Sequence, residues 1–182
     1  MKKRAVVILA DGFEETEAVA SIDILRRADI ETVVCGLRDK TVNGAHDIKM
    51  IADTTLEELK GPIDALVLPG GMPGAENLAK SKKVADMIRD AHKRGALVAA
   101  ICASPALVLA PTGILKGKKA TCYPGMEGDL GKGVFFTEER VVVDGNIITS
   151  RGPGTALAFA LAIVEKLAGV ESAKTHKERT LA

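Results

Sequence analysis

Short apolar runs separated by turn residues are the first feature of this chain. Residues 3–9 form an apolar run that Asp11 and Gly12 interrupt, and a continuous run of this kind is typical of a parallel strand buried on both faces. The same character is found in residues 32–35, 65–68 and 96–101. The pattern therefore predicts a set of buried strands along the first hundred residues or so.

Segments with the period of a helix follow these strands. Ala18, Ile22 and Leu25 stand at i, i+4 and i+7 and predict an amphipathic helix that ends at Arg26 and Arg27. Further helices are predicted in a stretch that ends at Arg94 and in a tail with Leu157, Leu161, Val164 and Leu167 before Gly169. The repeated order of strand and helix predicts an α/β fold with a parallel sheet covered on both faces.

Two hairpins are expected in addition to this core. Asn-Gly and Asp-Gly steps stand beside β-branched residues at 41–50 and again at 134–149. No internal repeat or linker interrupts the chain, so we expect one domain over residues 1–182.

The composition excludes several classes of protein. Lys plus Arg (25) nearly equal Asp plus Glu (24), so the net charge of +1 favours neither nucleic acid nor an anionic membrane surface as a partner. Aromatic residues make up 3% of the chain and Trp is absent, which disfavours single-stranded nucleic acid further. The apolar run at residues 5–10 is too short for a signal peptide or a membrane span, and we therefore expect a cytoplasmic protein.

The cysteines and the glycines exclude common cofactor and metal sites. Cys35, Cys102 and Cys122 form an odd set without a CxxC pair, which argues against a disulfide framework and a structural zinc site. No phosphate-binding loop of the form G-x-x-x-x-G-K-[ST] is present, and no dinucleotide fingerprint follows the first strand. We expect neither a metal nor a cofactor.

Cys102 is the strongest candidate for chemistry. It lies between a strand predicted to end at Ile101 and a helix predicted to begin near Ser104 and Pro105, which is the arrangement of a nucleophile elbow. The N-terminus of the following helix would stabilise a thiolate. On spacing alone, a small buried core cysteine is an equally good interpretation.

Two glycines after the third strand have two interpretations. Gly70 and Gly71 can form a turn that needs positive φ, or the Gly71 N–H can join the Ala103 N–H in an oxyanion hole. The sequence leaves both open.

Acidic residues follow the first strand. Asp11 and Glu14 fit a helix cap with its capping-box partner, and dipole complementarity at a helix start explains Glu15 as well. Glu17 lies too far into the helix for this explanation. We expect Glu17 to turn over the edge of the sheet toward Cys102.

Five segments carry a family resemblance. In chain order they are residues 4–10 (RAVVILA), 14–17 (EETE), 68–71 (LPGG), 99–103 (AAICA) and 149–155 (TSRGPGT). Together they resemble the ThiJ/PfpI superfamily, and more narrowly its branch that contains a human protein associated with Parkinson disease. The resemblance extends over nearly the whole chain.

The resemblance implies a fold and a function. The fold would be a flavodoxin-like three-layer sandwich, with a mostly parallel central sheet and an added β-hairpin, in a homodimer. The chemistry would be that of a cofactor-independent glyoxalase or deglycase, with Cys102 as nucleophile and a protonated Glu17 as its partner; the substrate would be a small reactive carbonyl compound such as methylglyoxal. The alternative is a redox-sensing stress protein or holdase chaperone in which oxidation of Cys102 is the signal.

The sequence departs from the family at one site position. Tyr123 stands before Pro124, where much of this branch has a His, and a phenol with an unperturbed pKa of ~10 is a poor base at neutral pH. Ala103 follows the nucleophile where the related peptidases have a His, so a Cys–His dyad is not expected. Positions that the resemblance places near the dimer contact are Arg27, His46, Arg151 and Pro153.

The thiol itself carries two further expectations. We expect Cys102 to be the most acidic of the cysteines, and its oxidation to stop at a sulfinate held by Glu17 and by nearby backbone N–H groups. Cys35 and Cys122 receive no catalytic role.

Overall fold

The computed structural model describes residues 2–182 and places the predicted strands in a central sheet. The strands are β1 (Arg4–Leu9), β2 (Glu31–Gly36), β3 (Thr41–Asn43), β4 (Lys49–Ile51), β5 (Thr54–Thr55), β6 (Ala65–Leu68), β7 (Leu97–Ile101), β8 (Lys119–Ala120), β9 (Phe135–Phe136), β10 (Val141–Asp144) and β11 (Ile147–Ser150). The α-helices are α1 (Glu15–Arg27), α2 (Gly74–Ala79), α3 (Lys82–Lys93), α4 (Ala156–Ala168) and α5 (Val170–Thr180).

The central sheet is mostly parallel, as predicted. Its seven strands lie in the order β10-β11-β7-β6-β1-β2-β5, and only the edge pair β10 and β11 is antiparallel. The chain passes from β1 to β2 on one side and then to β6 on the other side. The strand order therefore reverses beside β1, and such a reversal opens a crevice at the carboxyl ends of the strands.

Helices cover both faces of this sheet and explain why its central strands are continuous apolar runs. On one face α1 packs against α4, and these two helices contact β1, β2, β7 and β11. On the other face α3 packs against β6 and β7. The side chains of β6 and β7 are buried throughout, so a polar residue there would lose its hydration without gaining a partner.

Both predicted hairpins are present. β3 and β4 form a separate antiparallel pair in which Val42 lies opposite Met50. β10 and β11 form the second hairpin at the edge of the central sheet, with Gly145 at φ +63° in its turn. β9 belongs instead to a short parallel pair with β8.

Two features of the helices differ from the prediction. The helical stretch before Arg94 is divided into α2 and α3, because Ser81 begins a new helix by accepting a hydrogen bond from the Val84 N–H at 3.3 Å. The chain also continues beyond Gly169 into α5, which the sequence did not predict. The side chains that α5 buries are Ala173 and His176, too few to produce a helical apolar pattern.

No helix in residues 2–182 combines the length and the apolar character that crossing a membrane requires.

Candidate active site

The carboxyl ends of β1, β6 and β7 meet at the centre of the sheet. The segments that leave these strands contain Glu14, the pair Gly70 and Gly71, and Cys102, so the residues selected from the sequence come together at the predicted edge. This proximity follows from the parallel pairing of β1 with β6 and of β6 with β7.

Cys102 occupies a strained turn directly after β7. Its φ is +65°, which is rare for a residue with a side chain and is the feature that defines a nucleophile elbow. The Cys102 N–H donates to the Ser150 carbonyl at 3.0 Å, and the Cys102 carbonyl accepts from the Tyr123 N–H at 2.9 Å. The neighbouring Ser104 hydroxyl donates to the Pro69 carbonyl at 2.6 Å. These bonds hold the strained backbone in place.

The helix after the elbow is short, as the sequence predicts. A single π-helical turn, Pro105–Leu109, follows Cys102 and passes directly into a 3₁₀ turn. A turn of this length supplies little macrodipole, so the polar groups nearest to the sulfur decide the state of the thiol.

Gly70 and Gly71 let the second loop approach Cys102 closely. A Cβ at position 70 would lie 2.5 Å from the Cys102 Cβ, and a Cβ at position 71 would lie 2.3 Å from the Glu14 nitrogen. Gly71 also has φ +87°, so the predicted positive-φ turn is confirmed. The N–H groups of Gly71 and Ala103 both act on the Cys102 sulfur and favour the thiolate.

Glu17 points from the first turn of α1 into the same space. The side chain is fully buried, and its Oε2 accepts a hydrogen bond from the Gly70 N–H at 2.7 Å. Its other oxygen, Oε1, is buried without a hydrogen-bond partner among the described residues. The predicted turn of Glu17 toward Cys102 is therefore present.

The cap of α1 differs from the expected pairing. Glu14 is itself the N-cap and accepts the Glu17 N–H at 2.7 Å, while its own N–H donates to the Gly70 carbonyl at 3.0 Å. Asp11 does not cap the helix, because it accepts the backbone and side-chain N–H groups of Asn43 in the hairpin. The capping-box interpretation of Asp11 is wrong for this reason.

Burial dominates the acid–base properties of the pair. It raises the pKa of Glu17 to about 7, against the lowering effects of the Gly70 N–H and Cys102, and the charge of Glu14 adds to the rise. Burial and the negative charge of Glu17 raise the pKa of Cys102 to about 12, against the N–H groups of Gly71 and Ala103. Burial likewise raises the pKa of Cys35 and of Cys122 to about 11.

The expected order of thiol acidity needs a correction. While Glu17 is ionised, Cys102 is not the most acidic thiol, because the adjacent carboxylate repels a thiolate. A proton on Glu17 removes this repulsion and turns the carboxyl into a hydrogen-bond donor for sulfur. The acidity of Cys102 thus depends on the protonation of Glu17.

Tyr123 is adjacent to the elbow through its backbone and is 47% exposed. Its ring lies over Gly152, where an added Cβ would be 3.3 Å from a ring carbon. Within residues 2–182 the Tyr123 hydroxyl has no hydrogen bond to Cys102 or Glu17. The backbone of Tyr123, rather than its phenol, contacts the elbow.

The residues expected near a dimer contact lie at separate places. Arg27 ends α1 and pairs with Asp23, with 2.6 Å between Nε and Oδ2. Arg151 donates to the Glu138 carbonyl at 3.2 Å, and Pro153 begins a short 3₁₀ turn before α4.

His46 has a partner that the sequence analysis missed. Its ring Nδ1 lies 2.8 Å from Oε2 of Glu15, and its backbone N–H donates to Oε1 of the same carboxylate at 2.6 Å. Glu15 had been explained by the helix dipole alone. The Asn43-Gly44 turn signal placed His46 in a hairpin loop, but the sequence does not show where that loop docks.

One cluster has the composition of a metal site. Ligand atoms of Glu14, Glu15 and His46 lie within 4.8 Å of one another. Both carboxylates already accept backbone N–H groups, those of Glu17 and His46, so we treat the cluster as an ion-pair network.

Comparison with known proteins identifies the class. The DJ-1/PfpI family model matches residues 3–166, and the chain belongs to this family. A solved structure of Drosophila melanogaster DJ-1beta superposes with a TM-score of 0.95 at 42% identity, covering 100% of this chain and 99% of that one. The sheet and its flanking helices thus have the flavodoxin-like architecture of DJ-1 proteins.

Among curated relatives, the Danio rerio protein named Parkinson disease protein 7 homolog is 46% identical over 96% of this chain and 95% of its own length. The Arabidopsis thaliana protein DJ-1 homolog B is 49% identical over 97% of this chain, which spans 40% of the length of that relative. The Caenorhabditis elegans glutathione-independent glyoxalase DJR-1.2 is 33% identical over 93% of this chain and 91% of its own length.

The geometry predicts the order in which the thiols react. Cys102 is 8% exposed, whereas Cys35 and Cys122 are fully buried, and the proton on Glu17 favours the Cys102 thiolate below pH 7. We expect iodoacetamide at pH 6 to label Cys102 first, as followed by peptide mass spectrometry. Faster labelling of Cys35 or Cys122 would contradict the elbow assignment.

Proposed function

We propose that this chain is a cofactor-independent cysteine enzyme of the glyoxalase or deglycase type that acts on small α-oxoaldehydes. The observation that carries the proposal is the fully buried Glu17 carboxyl, whose pKa is raised to about 7, beside a cysteine on a strained elbow. A carboxyl group with this pKa can both give and take a proton at neutral pH. The name of the Caenorhabditis elegans relative supports the same chemistry.

The reaction with methylglyoxal would proceed in balanced steps. The Cys102 thiolate attacks the aldehyde carbon, and the proton on Glu17 goes to the new alkoxide to give a hemithioacetal. The Glu17 carboxylate then removes the proton from the former aldehyde carbon and gives it to the ketone oxygen, which forms an enediol. It next takes the proton of the hydroxyl group on the former aldehyde carbon and delivers a proton to the neighbouring carbon. The product is a lactoyl thioester, which water hydrolyses to lactate and the free thiol. The oxidation of one carbon balances the reduction of the other, so no cofactor is consumed.

Protein groups other than the pair would assist this sequence. The N–H groups of Gly71 and Ala103 lie at the sulfur and can stabilise negative charge that develops beside it. We assign Tyr123 to the mouth of the site, where its exposed phenol can donate a hydrogen bond to an entering carbonyl oxygen. Glu17 would carry out the proton transfers itself, because the phenol of Tyr123 is a poor base at neutral pH.

A second function uses the same thiol. Cys102 is 8% exposed, the most of the three cysteines, and the donors around it are the N–H groups of Gly71 and Ala103 together with a protonated Glu17. Such donors suit the two oxygens of a sulfinate, which would make oxidised Cys102 a lasting signal. A redox sensor or holdase chaperone is therefore the alternative proposal.

Exposed apolar residues favour assembly into a homodimer. Val19 on α1 is 48% exposed and Leu157 on α4 is 43% exposed, and these two helices pack against each other on one face of the sheet. A two-fold interface would cover this apolar surface on both copies. Each protomer of the proposed dimer would carry its own Cys102.

Substitutions of the reacting pair test the enzymatic proposal. We expect Cys102→Ser to abolish lactate formation from methylglyoxal and Glu17→Gln to lower kcat by about 10²-fold or more, because a positioned proton donor contributes factors of this size. Steady-state lactate assays give the comparison. The matched control is Cys35→Ala, which removes a buried thiol outside the site and should retain turnover. Full activity in either of the first two variants would rule out the mechanism.

A peroxide series tests the alternative. Mild peroxide should add two oxygen atoms to Cys102 and stop, because Glu17 and the backbone N–H groups hold the sulfinate. Glu17→Gln removes the carboxylic proton and should speed the passage to sulfonate. Intact-mass spectrometry distinguishes these stages. Direct conversion of Cys102 to sulfonate in the unmodified protein would contradict the redox-sensor proposal.

Sedimentation tests the dimer. The expected species has twice the 19.1 kDa mass of the chain, and Val19→Lys should shift it toward monomer because a charge would be buried in the interface. Val143→Lys, at an exposed position on β10, is the matched control. A stable 19.1 kDa species at micromolar concentration would refute the proposal.

A further inference from the structure

The hairpin of β3 and β4 lies against the loop that carries the site residues of the first strand. The Gly12 N–H donates to the Asn43 carbonyl at 2.7 Å, and the Ala45 N–H donates to the Phe13 carbonyl at 2.8 Å. Asn43 is also held by Asp11, through its backbone N–H at 2.8 Å. The hairpin forms no part of the central sheet, so contacts of this kind fasten it to the molecule.

Glu15 is the charged member of this contact. Its carboxylate is almost fully buried and accepts the backbone N–H of His46 while pairing with the His46 ring. A Cβ at Gly44 would lie 2.1 Å from Glu15 Oε1, so the hairpin loop is pressed against the carboxylate. Neither the proposed reaction nor the cap of α1 uses Glu15.

The same loop connects Glu15 to the reacting pair. Glu14, the adjacent residue, caps the Glu17 N–H and donates its own N–H to the Gly70 carbonyl. The Gly70 N–H in turn holds the Glu17 carboxyl, and Gly71 directs its N–H at the Cys102 sulfur. A shift of residues 12–15 would therefore reach both Glu17 and the loop that faces the sulfur.

We propose that Glu15 is a positioning residue for the Cys102–Glu17 pair and that His46 makes this positioning depend on pH. This role of Glu15 rests on the proposed function in one respect, that Cys102 and Glu17 are the reacting groups. The charged groups that face the His46 ring are Glu14 and Glu15 at the start of α1 and Asp47 in its own loop. All three are acidic, so the surroundings favour the imidazolium.

The two partners define the pH range of the contact. The hydrogen bond to Glu15 and the charge of that carboxylate raise the pKa of His46 above 6.5, so stabilisation from the ion pair is lost as the pH rises through this raised value. Burial opposes ionisation of Glu15, but its bonds to the His46 side chain and backbone lower its pKa below 4.5. Stabilisation from the carboxylate is therefore lost only as the pH falls through that lowered value.

Substitutions of His46 separate its charge from its other contacts. His46→Arg keeps the positive charge over pH 5.5–8.5, and His46→Gln removes it; the side chain is exposed in the single protomer, so neither threatens the fold of that protomer. We expect hydrogen exchange at residues 44–48, corrected for intrinsic rates, to stay slow in His46→Arg and fast in His46→Gln. In the unmodified protein, exchange at these residues should change from slow to fast as the pH rises.

The rate of Cys102 alkylation by iodoacetamide is the second measurement. A contact that only held the hairpin in place would leave this rate unchanged. At pH 5.5 the unmodified protein should be alkylated as fast as His46→Arg, and at pH 8.5 its rate should approach that of His46→Gln. We expect alkylation of His46→Gln to be slower than that of His46→Arg by about threefold, a size typical of one exposed ion pair. Glu15→Gln should be slow at every pH. Lys49→Gln, which removes a positive charge from β4, is the matched control and should follow the unmodified protein.

Two results would overturn the proposal. One is superposition of the His46→Gln and His46→Arg alkylation profiles; the other is a change in hairpin exchange that leaves Cys102 alkylation untouched. Alkylation needs no turnover, so the tests are independent. A protein that fails to convert methylglyoxal but shows the predicted pH split would contradict the proposed function and support the role of Glu15.

Discussion

Burial of the Glu17 carboxyl beside the Cys102 thiol is the constraint on which the rest of the active site depends. An ionised carboxylate without water is costly, and the protein reduces the cost by raising the pKa of Glu17 to about 7 rather than by supplying a cation. The Gly70 N–H is the donor that Oε2 retains. The carboxyl therefore gains or loses its proton near neutral pH, and the acidity of the Cys102 thiol changes with it.

The elbow fixes the other half of the pair. Positive φ at Cys102 is unfavourable for a residue with a Cβ, and the structure tolerates it because backbone bonds to Ser150 and Tyr123 hold the residue from two sides. The absence of side chains at Gly70 and Gly71 then allows a loop to approach the thiol with its N–H groups. The reversal of strand order beside β1 places both halves of the pair at the carboxyl ends of neighbouring strands.

The nucleophile and its surroundings were accessible to sequence analysis for different reasons. Strand ends are marked by the change from apolar residues to Gly, Pro or polar residues, so the placement of Cys102 and Gly71 needed only local patterns. Glu17 was selected on the premise that it lies beyond the reach of the helix dipole. The structure places it in the first turn of α1, so this premise was wrong, although the side chain does lie beside Cys102. The contact between Glu15 and His46 left no such signal, since each residue has an ordinary explanation at its own position.

The sequence by itself determined the alternation of strands and helices, the hairpins and the position of the elbow, because these depend on periodicity and on turn residues close together in the chain. Tertiary structure alone decided the acid–base behaviour of Cys102, the docking of the hairpin on Glu15 and the presence of α5. Burial, charge proximity and partner choice arise between residues far apart in sequence, here Glu17 with Gly70 and Glu15 with His46. A linear pattern does not contain those distances, and pKa shifts depend on them.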